Sequence, residues 1–462
     1  MKERNSFRGA FGFVMAAAAS AVGLGNIWRF PYFAAKDGGG IFLLVYLILL
    51  VTFGYVLLTT ELSIGRRTKQ GPLTAYSQVK YKWRHLGLLS CLIPMIIMPY
   101  YCVIGGWVIK YCLVYIKGDV SAVSDDGYFS SFISGTTEPI VLTVVFLLAC
   151  MFIIFKGVQD GVEKSAKILM PILIVLVIFI SIFALTISHT DASGVTRTGL
   201  DGFKVLVIPN ISGLTFTDFI WIVIDAFGQL FFSLSIAMGI MIAYGSYVDD
   251  KTNLTKSANQ IMIFDTGIAF LAGVMIIPTV YAFSGHDGLN SSGPGLMFVS
   301  LPKIFSEMGF MGRFIGIAFF VMVLFAALTS AVSIMEAVVT SFIDYFNISR
   351  KKATIIEGII AIIAAVFVCL GYNLMYFEFK LPSGSTGQLL DIFDYVSNNL
   401  LMPALAILTC ILIGWVVKPK WAIDEITKNG EKFRMNITYR IIIKFIAPVL
   451  LAILLLESLG VI

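Results

Sequence analysis

Charge is what this sequence has least of. Asp, Glu, Lys and Arg together make up 13% of its 462 residues, where soluble domains carry about 25%. So little charge excludes an ordinary soluble enzyme, a disordered chain and a nucleic-acid binder, each of which needs polar surface. Histidine is scarcer still, at three residues. His85, His189 and His286 all fall in loops or at the ends of apolar runs. No HExxH, GxxxxGK[ST] or GxSxG motif is present, which removes the commonest metal-hydrolase, nucleotide-binding and serine-esterase chemistries. The chain does not read as an enzyme. The six cysteines (Cys91, Cys102, Cys112, Cys150, Cys369 and Cys410) make no CxxC and lie within or beside apolar runs. They read as buried packing thiols, not as a disulfide framework. A small-residue cleavage site after the first apolar stretch is also missing, so no removable signal peptide is expected.

What is abundant is apolar surface, with 58% of residues hydrophobic and a mean hydropathy of +0.90. A helix crossing about 30 Å of hydrocarbon needs about 20 mostly apolar residues. Eleven such runs lie near 10–35, 39–64, 86–116, 140–156, 163–186, 216–248, 257–283, 312–346, 353–371, 388–417 and 438–457. All are expected to be helical, because backbone in lipid must satisfy its own hydrogen bonds and the alternation of a barrel strand is absent. The fold class is therefore an all-α membrane protein, one transmembrane domain over residues 1–462 with the lipid bilayer as its surroundings.

Basic residues orient such a bundle, being retained on the cytoplasmic side. With the N-terminus inside, the inner segments hold 24 of the 33 Lys and Arg residues. The outer loops 117–139, 187–215 and 284–311 carry Asp119, Asp125, Asp126, Asp191 and Asp287. The expectation is a multi-pass protein of the cell membrane, N-terminus cytoplasmic and, with an odd number of spans, C-terminus extracellular.

Two spans should not be continuous helices. The first has Gly23, Gly25 and Asn26 at mid-depth and Pro31 a turn further, and each interior glycine weakens a helix by about 1 kcal/mol relative to Ala. The sixth has Ser233 and Ser235 at its middle, with Gly228 and Gly239 on either side. Small residues of this kind also serve close helix packing. Spans 1 and 6, however, each open a block of five, and broken helices at matching positions of two repeats point to an inverted-repeat transporter with its site at the midplane. The repeats would cover about 10–186 and 216–417, with an extra span at 438–457. An unwound helix offers carbonyls to a cation and half-helix N-termini to an anion, which suits Na⁺ together with a zwitterionic amino acid.

The segments SAVGLGNIWRFP (20–31) with GGG (38–40), GQLFFSLS (228–235), AALTS (326–330) and LLDIFDY (389–395) occur in the order found in the neurotransmitter:sodium symporter family. The chain resembles that family, in particular its eleven-span bacterial amino-acid branch with the leucine-transporter fold. The resemblance implies two sodium sites. The first would use the Ala21 carbonyl, the Asn26 side chain, Ser233 and Asp265, completed by the substrate carboxylate. The second would use the Ala19 and Val22 carbonyls, the Ala326 carbonyl and the Thr329 and Ser330 hydroxyls. All are oxygens, as a hard cation prefers. Asp265 stands where most members have Asn. Animal members balance charge here with chloride, and many bacterial ones with a Glu a turn further on. That turn holds Ala269 here, so Asp265 is expected to supply the fixed negative charge, making transport chloride-independent. An Asp265 that binds protons instead of Na⁺ is the alternative.

Gly23 occupies the position where monoamine carriers of the family have an Asp, which implies an amino-acid substrate. Its carboxylate would meet the Gly25 amide and the Tyr101 hydroxyl, and its amine the carbonyls of Ser20, Phe232 and Ser233, near Ser235. Ala21 and Leu24 would lie against it. The side-chain pocket would be formed by Ile97, Tyr101, Phe232, Met238, Ser330 and Ile334. With no charge among them, a charged side chain would be desolvated unpaired. Met238 replaces a Phe of the leucine prototype, and its adaptable chain implies room for larger apolar or aromatic substrates. Arg29 and Asp394 resemble the family's outer ion-pair gate, above a lid of Tyr101 and Phe232. Arg4 and Asp344 resemble the inner pair, beside Ser246 and Tyr247. Phe7 replaces a usual Trp, implying a looser inner plug. Glu61 would accept hydrogen bonds from unwound span 6. Asp225, Lys110 and Glu336 lie within spans and receive no role. The function implied is sodium-coupled import of a neutral hydrophobic or aromatic amino acid by alternating access. A proton-coupled or antiporting carrier of the same fold is the alternative, and a channel or a non-transporting sensor are more distant ones.

Overall fold

The computed structural model describes residues 6–191, 193–291, 293–382 and 384–461. Among these, ten helices are long and apolar enough to cross a bilayer, and one bent pair makes an eleventh. Span 1 is that pair, Ala10–Ala21 and Gly25–Lys36, with a 54° bend between its halves. Spans 2 to 5 are Gly40–Thr68, Tyr81–Lys117, Thr137–Phe155 and Val158–Thr186. Span 6 is also in two pieces, Phe216–Ser233 and Ile240–Ser246, where the hydropathy pattern predicts one run over 216–248. Spans 7 to 11 are Leu254–Gly288, Phe310–Phe346, Arg350–Leu370, Leu389–Val416 and Asn436–Ser458. The protein is an all-α, multi-pass membrane protein. Two short antiparallel hairpins, Ser188–Thr190 with Thr196–Thr198 and Phe379–Lys380 with Thr386–Gly387, fold the loops after spans 5 and 9.

Local chemistry explains the ends and the breaks. Thr215 and Asp218 form a reciprocal capping box at the start of span 6, satisfying two of the free N–H groups every helix N-terminus leaves. In the six-residue break of the same span, Ser235 (φ 53°) and Ala237 (φ 61°) are left-handed. Side chains with a Cβ occupy that region at a cost of order 1–3 kcal/mol each, and such conformations cluster at functional sites. The Ala237 N–H, freed from the helix, donates to Glu61 Oε1 on span 2 at 2.7 Å. The inner half of span 6 sits directly on span 2: a Cβ on Gly65 would strike the Ile242 carbonyl, and one on Gly245 would lie 2.7 Å from that of Leu62. Large apolar side chains such as Phe152, Ile263 and Ile363 point outward, as expected of a lipid-facing surface.

Several charged side chains inside the bundle are paired, although the buried Glu357 on span 9 has no hydrogen-bond partner among the described residues. Glu336 on span 8 is fully buried and meets Arg350 Nη1 at 2.6 Å. Lys110 meets Glu138 at 2.6 Å and Lys36 meets Asp225 at 2.6 Å. Arg66, at the inner end of span 2, is buried against Glu425 (2.6 Å) and also donates to the Thr252 carbonyl at 2.7 Å. Asp225, Lys110 and Glu336, unassigned from sequence, thus each hold two elements together. All six cysteines are free and buried.

Candidate functional site

The two breaks face each other across the middle of the bundle and line one cavity. The twelve residues expected around a substrate, namely Ser20, Ala21, Leu24, Gly25, Ile97, Tyr101, Phe232, Ser233, Ser235, Met238, Ser330 and Ile334, all line it, together with Gly23, Asn26 and Ile240. Ile240, the first residue of the inner half of span 6, is absent from the sequence reading. Only the position of the break brings it to the wall.

Two glycines set the shape of this space. A Cβ on Gly23 would lie 2.9 Å from Ser330 Oγ and 3.2 Å from Tyr101 Oη, and one on Gly25 would lie 2.7 Å from the Phe232 ring. Tyr101 Oη and Ser20 Oγ are buried with no hydrogen-bond partner among the described residues. Buried hydroxyls left in this way lose about 1–3 kcal/mol each unless something binds them. The Ser20 carbonyl already accepts from Ser235 Oγ (3.3 Å) and Ser330 Oγ (3.2 Å). Gly25, at the start of the outer half of span 1, offers its carbonyl to Gln229 Nε2 at 3.2 Å.

Below the cavity, spans 1, 6 and 7 converge on one carboxylate. Asp265 is completely buried. Its Oδ1 accepts from Asn26 Nδ2 at 2.7 Å and from Ser233 Oγ at 2.9 Å, and its Oδ2 lies 3.0 Å from the same hydroxyl. Asn26 Nδ2 also reaches Ser233 Oγ at 3.1 Å, while its Oδ1 accepts from the Gly23 amide at 3.1 Å. Among the described residues no Lys, Arg or His forms an ion pair with Asp265. An ionised carboxylate in membrane is costly unless paired. The carboxylate and the Ser233 hydroxyl beside it are oxygens of the kind that suits a hard monovalent cation, while the Asn26 amide oxygen is turned to the Gly23 N–H.

A second oxygen cluster lies between spans 1 and 8. Ser330 Oγ is 3.2 Å from the Val22 carbonyl, and Thr329 Oγ1 is 3.1 Å from the Ala326 carbonyl. Ala19 is buried on the adjoining turn of span 1. These groups are oxygens of the kind that could hold a hard cation.

The two ends of the bundle differ. At the end of the bundle away from the N-terminus, Arg29 and Asp394 do not form the expected ion pair. Arg29 lies over the rings of Phe33 and Phe232, each centroid 5.4 Å away. Asp394 instead accepts from Asn398 Nδ2 at 2.6 Å. At the end where span 1 begins the closure is dense. Phe7 is buried, with its ring 5.7 Å from Phe13 and edge-on to Tyr244 (5.7 Å) and Tyr247 (6.1 Å). Its amide donates to the Tyr247 carbonyl at 3.2 Å. The looser plug expected from Phe at this position is not found, because the two tyrosines of span 6 close on the smaller ring. Tyr247 Oη donates to Glu336 Oε1 at 2.7 Å, touches Thr340, and accepts from Arg350 Nη2 at 3.2 Å. Asp344 accepts from the Gly71 amide at 2.5 Å. Its expected partner Arg4 lies outside the described residues.

With this geometry in hand, likeness to known proteins is decisive. Residues 4–122 and 131–462 match the profile of the Sodium:neurotransmitter symporter family. The chain belongs to that family. It is 31% identical over 457 residues to YhdH, an uncharacterised sodium-dependent transporter of Bacillus subtilis, covering 97% of this chain and 96% of that one. It is 32% identical over 464 residues to an uncharacterised sodium-dependent transporter of Methanocaldococcus jannaschii, covering 97% and 89%. Among solved structures, MhsT in complex with L-phenylalanine superimposes with a TM-score of 0.84 at 32% identity, over 99% of this chain and 100% of that one. The symporter shares its leucine-transporter fold with MhsT and is a transporter, not an enzyme.

Proposed function

We propose that this symporter imports a neutral hydrophobic or aromatic amino acid with two Na⁺ ions, independently of chloride, across the cell membrane with its N-terminus inside and its C-terminus outside. The observation that carries this reading is the fully buried Asp265, held by Asn26 and Ser233 with no basic residue paired to it, directly beneath a cavity whose side-chain wall is uncharged. A carboxylate so placed calls for a cation, and the neutral wall calls for a substrate that brings no side-chain charge. The phenylalanine bound to a relative of the same fold supports an amino acid of this class, and Met238 at the wall is an adaptable side chain that can repack around a ring.

Each part of the mechanism follows from which spans a ligand would join. Na⁺ at the first cluster ties the breaks of spans 1 and 6 to span 7 through Asn26, Ser233 and Asp265. Na⁺ at the second ties span 1 to span 8 through Val22, Ala326, Thr329 and Ser330. The amino acid's carboxylate completes the first cluster with the Gly25 amide and Tyr101 Oη, and its ammonium faces the C-terminal, electronegative ends of the half-helices at Ala21 and Ser233. Cations that join moving spans to fixed ones favour one arrangement over the other through differential affinity, and only through that. The Na⁺ gradient then gives the cycle its direction. The inner closure by Phe7 and Tyr247, with Arg29 unpaired outside, is the arrangement that loads from the outside.

The test is uptake of a panel of labelled amino acids into proteoliposomes under inward gradients of Na⁺, Li⁺, K⁺ or choline. Uptake of phenylalanine or leucine that needs Na⁺ and survives replacement of chloride by gluconate is the expected result. Uptake driven by a proton gradient without Na⁺ would instead make Asp265 a proton site.

A further inference from the structure

Span 9 turns a narrow face of small residues to the rest of the bundle. Ala353, Thr354, Gly358, Ala361 and Ala365 are buried on it, and the helix packs against spans 3, 4 and 8. Small residues let membrane helices approach closely, and here they do: a Cβ on Gly358 would lie 2.4 Å from Met151 Cε on span 4. One acid interrupts this face. Glu357 is completely buried, and neither of its carboxyl oxygens has a hydrogen-bond partner among the described residues. The hydroxyl of Thr354, one turn away, is directed to the Arg350 carbonyl at 2.9 Å. Glu357 is not among the residues that line the substrate cavity.

Among the described residues, no positive charge is in place to balance this acid. Arg350, two turns earlier on the same helix, is bonded to Glu336 of span 8 at 2.6 Å, and Lys351 and Lys352 are exposed. Asp344, the other acid near that end of span 8, accepts from the Gly71 amide. Lys110 of span 3 is paired with Glu138 of span 4, and Lys156 lies over the ring of the outward-facing Phe152. What spans 3 and 4 bury instead are Cys91, Tyr101, Cys102 and Cys150, none of them a cation. Burying an ionised carboxylate with no counter-charge costs far more than burying the neutral acid. A metal ion needs several oxygens at once, and a face of alanines, a glycine and a methionine supplies none from its side chains. A proton needs a single oxygen. We infer that Glu357 is a proton-binding site in the wall of the bundle, occupied as the neutral carboxylic acid throughout the transport cycle and separate from the ion clusters at the two breaks.

The proton can be read directly, without relying on uptake. Infrared spectra of the purified full-length protein at neutral pH should contain a protonated-carboxyl C=O band that Glu357→Gln removes and that Na⁺ and phenylalanine leave unchanged. If Glu357→Gln removes only an ionised-carboxylate band, the site is wrong. If Na⁺ or phenylalanine shifts the band, the proton takes part in the cycle and its separateness is wrong. Stability gives a second reading. Because the folded chain holds this proton more tightly than the unfolded chain, the stability it brings is present in acid and lost as the pH rises. The wild-type melting temperature should therefore fall more steeply from neutral to alkaline pH than that of Glu357→Gln, leaving the variant the more stable at the alkaline end. Glu357→Leu, which fills the seam with no polar atom, should follow Glu357→Gln. Curves parallel to wild type, or a Glu357→Leu protein that is far less stable at every pH, would point to an ionised and paired carboxylate and overturn the inference.

Discussion

Replacing Asp265 by Asn is the sharpest test of the ion site. The amide oxygen can still accept from Asn26 Nδ2 and Ser233 Oγ, which now reach Asp265 at 2.7 and 2.9 Å, so the exchange removes the charge and largely keeps the shape. Hydrogen bonds and contacts to an ionised group are worth about 1.5–3 kcal/mol net, and about 1.4 kcal/mol is a tenfold change in an equilibrium constant. The Na⁺ concentration for half-maximal uptake should therefore rise about 10- to 150-fold in Asp265→Asn. The assay is a Na⁺ titration of labelled phenylalanine uptake into proteoliposomes, run in gluconate and again in chloride. Wild-type protein should give the same curve in both. The variant should be far weaker in gluconate and should improve in chloride, because the position a turn away is the buried Ala269 and no other acid replaces the missing charge. An unchanged half-saturation in gluconate refutes the assignment of Asp265 as the fixed counter-charge. A wild-type curve that collapses in gluconate refutes chloride independence.

Three further outcomes are expected. Gly25→Ala places a methyl 2.7 Å from the Phe232 ring, so the ring must swing away; uptake should fall at least tenfold while yield and melting temperature stay near wild type. Met238→Phe narrows the cavity wall and should raise the half-saturation for phenylalanine more than for valine, measured by competition. Equal losses would mean Met238 does not shape selectivity. Asp250, in the loop before span 7, is held at about 2 by Lys428 and Lys69, and a depressed carboxylate stabilises fully above its ordinary value and weakens only as pH falls towards 2. Asp250→Asn should thus lower the melting temperature equally at pH 5.5 and pH 8, and a loss confined to one of them would contradict the pairing.

Most of the fold was legible in the sequence because lipid leaves a chain few options: long apolar runs must be helices, and their lengths set the spans. The breaks were legible too, since glycines and serines fall at matching mid-span positions of two blocks of five. The cavity wall followed from the resemblance, residue by residue. What the sequence did not convey is who meets whom across the bundle. Glu336 and Arg350 stand on different spans, and Lys36 and Asp225 are 189 residues apart; such partners are chosen by helix azimuth and crossing, which hydropathy does not encode. The same reason explains the failure of Arg29 and Asp394 to pair. Side-chain geometry gives Arg29 to two aromatic rings and Asp394 to Asn398. Phe7 was read as a weaker plug because its own size was visible and the inward lean of Tyr244 and Tyr247 was not.

The two closures also differ in what opening them requires, and this can be measured. Outside, nothing charged has to separate. Inside, Tyr247 Oη is bonded to Glu336 Oε1 at 2.7 Å and to Arg350 Nη2 at 3.2 Å, and Glu336 is fully buried. Moving span 6 away from span 8 strips one hydrogen bond from a buried carboxylate, although Arg350 and Thr340 Oγ1, at 2.9 Å, keep it satisfied. Tyr247→Phe removes that bond in advance. At about 1.5–3 kcal/mol for a hydrogen bond to a charged group, the balance should move about tenfold or more towards the inward-facing form. Because a ligand's apparent affinity falls with the fraction of protein competent to bind it, Na⁺ and substrate applied from outside should bind correspondingly more weakly. Arg350 and Glu336 remain joined, so the fold should hold. A variant with wild-type external affinities and wild-type accessibility of an engineered cysteine at the inner mouth would show that Tyr247 packs the seal without holding it shut.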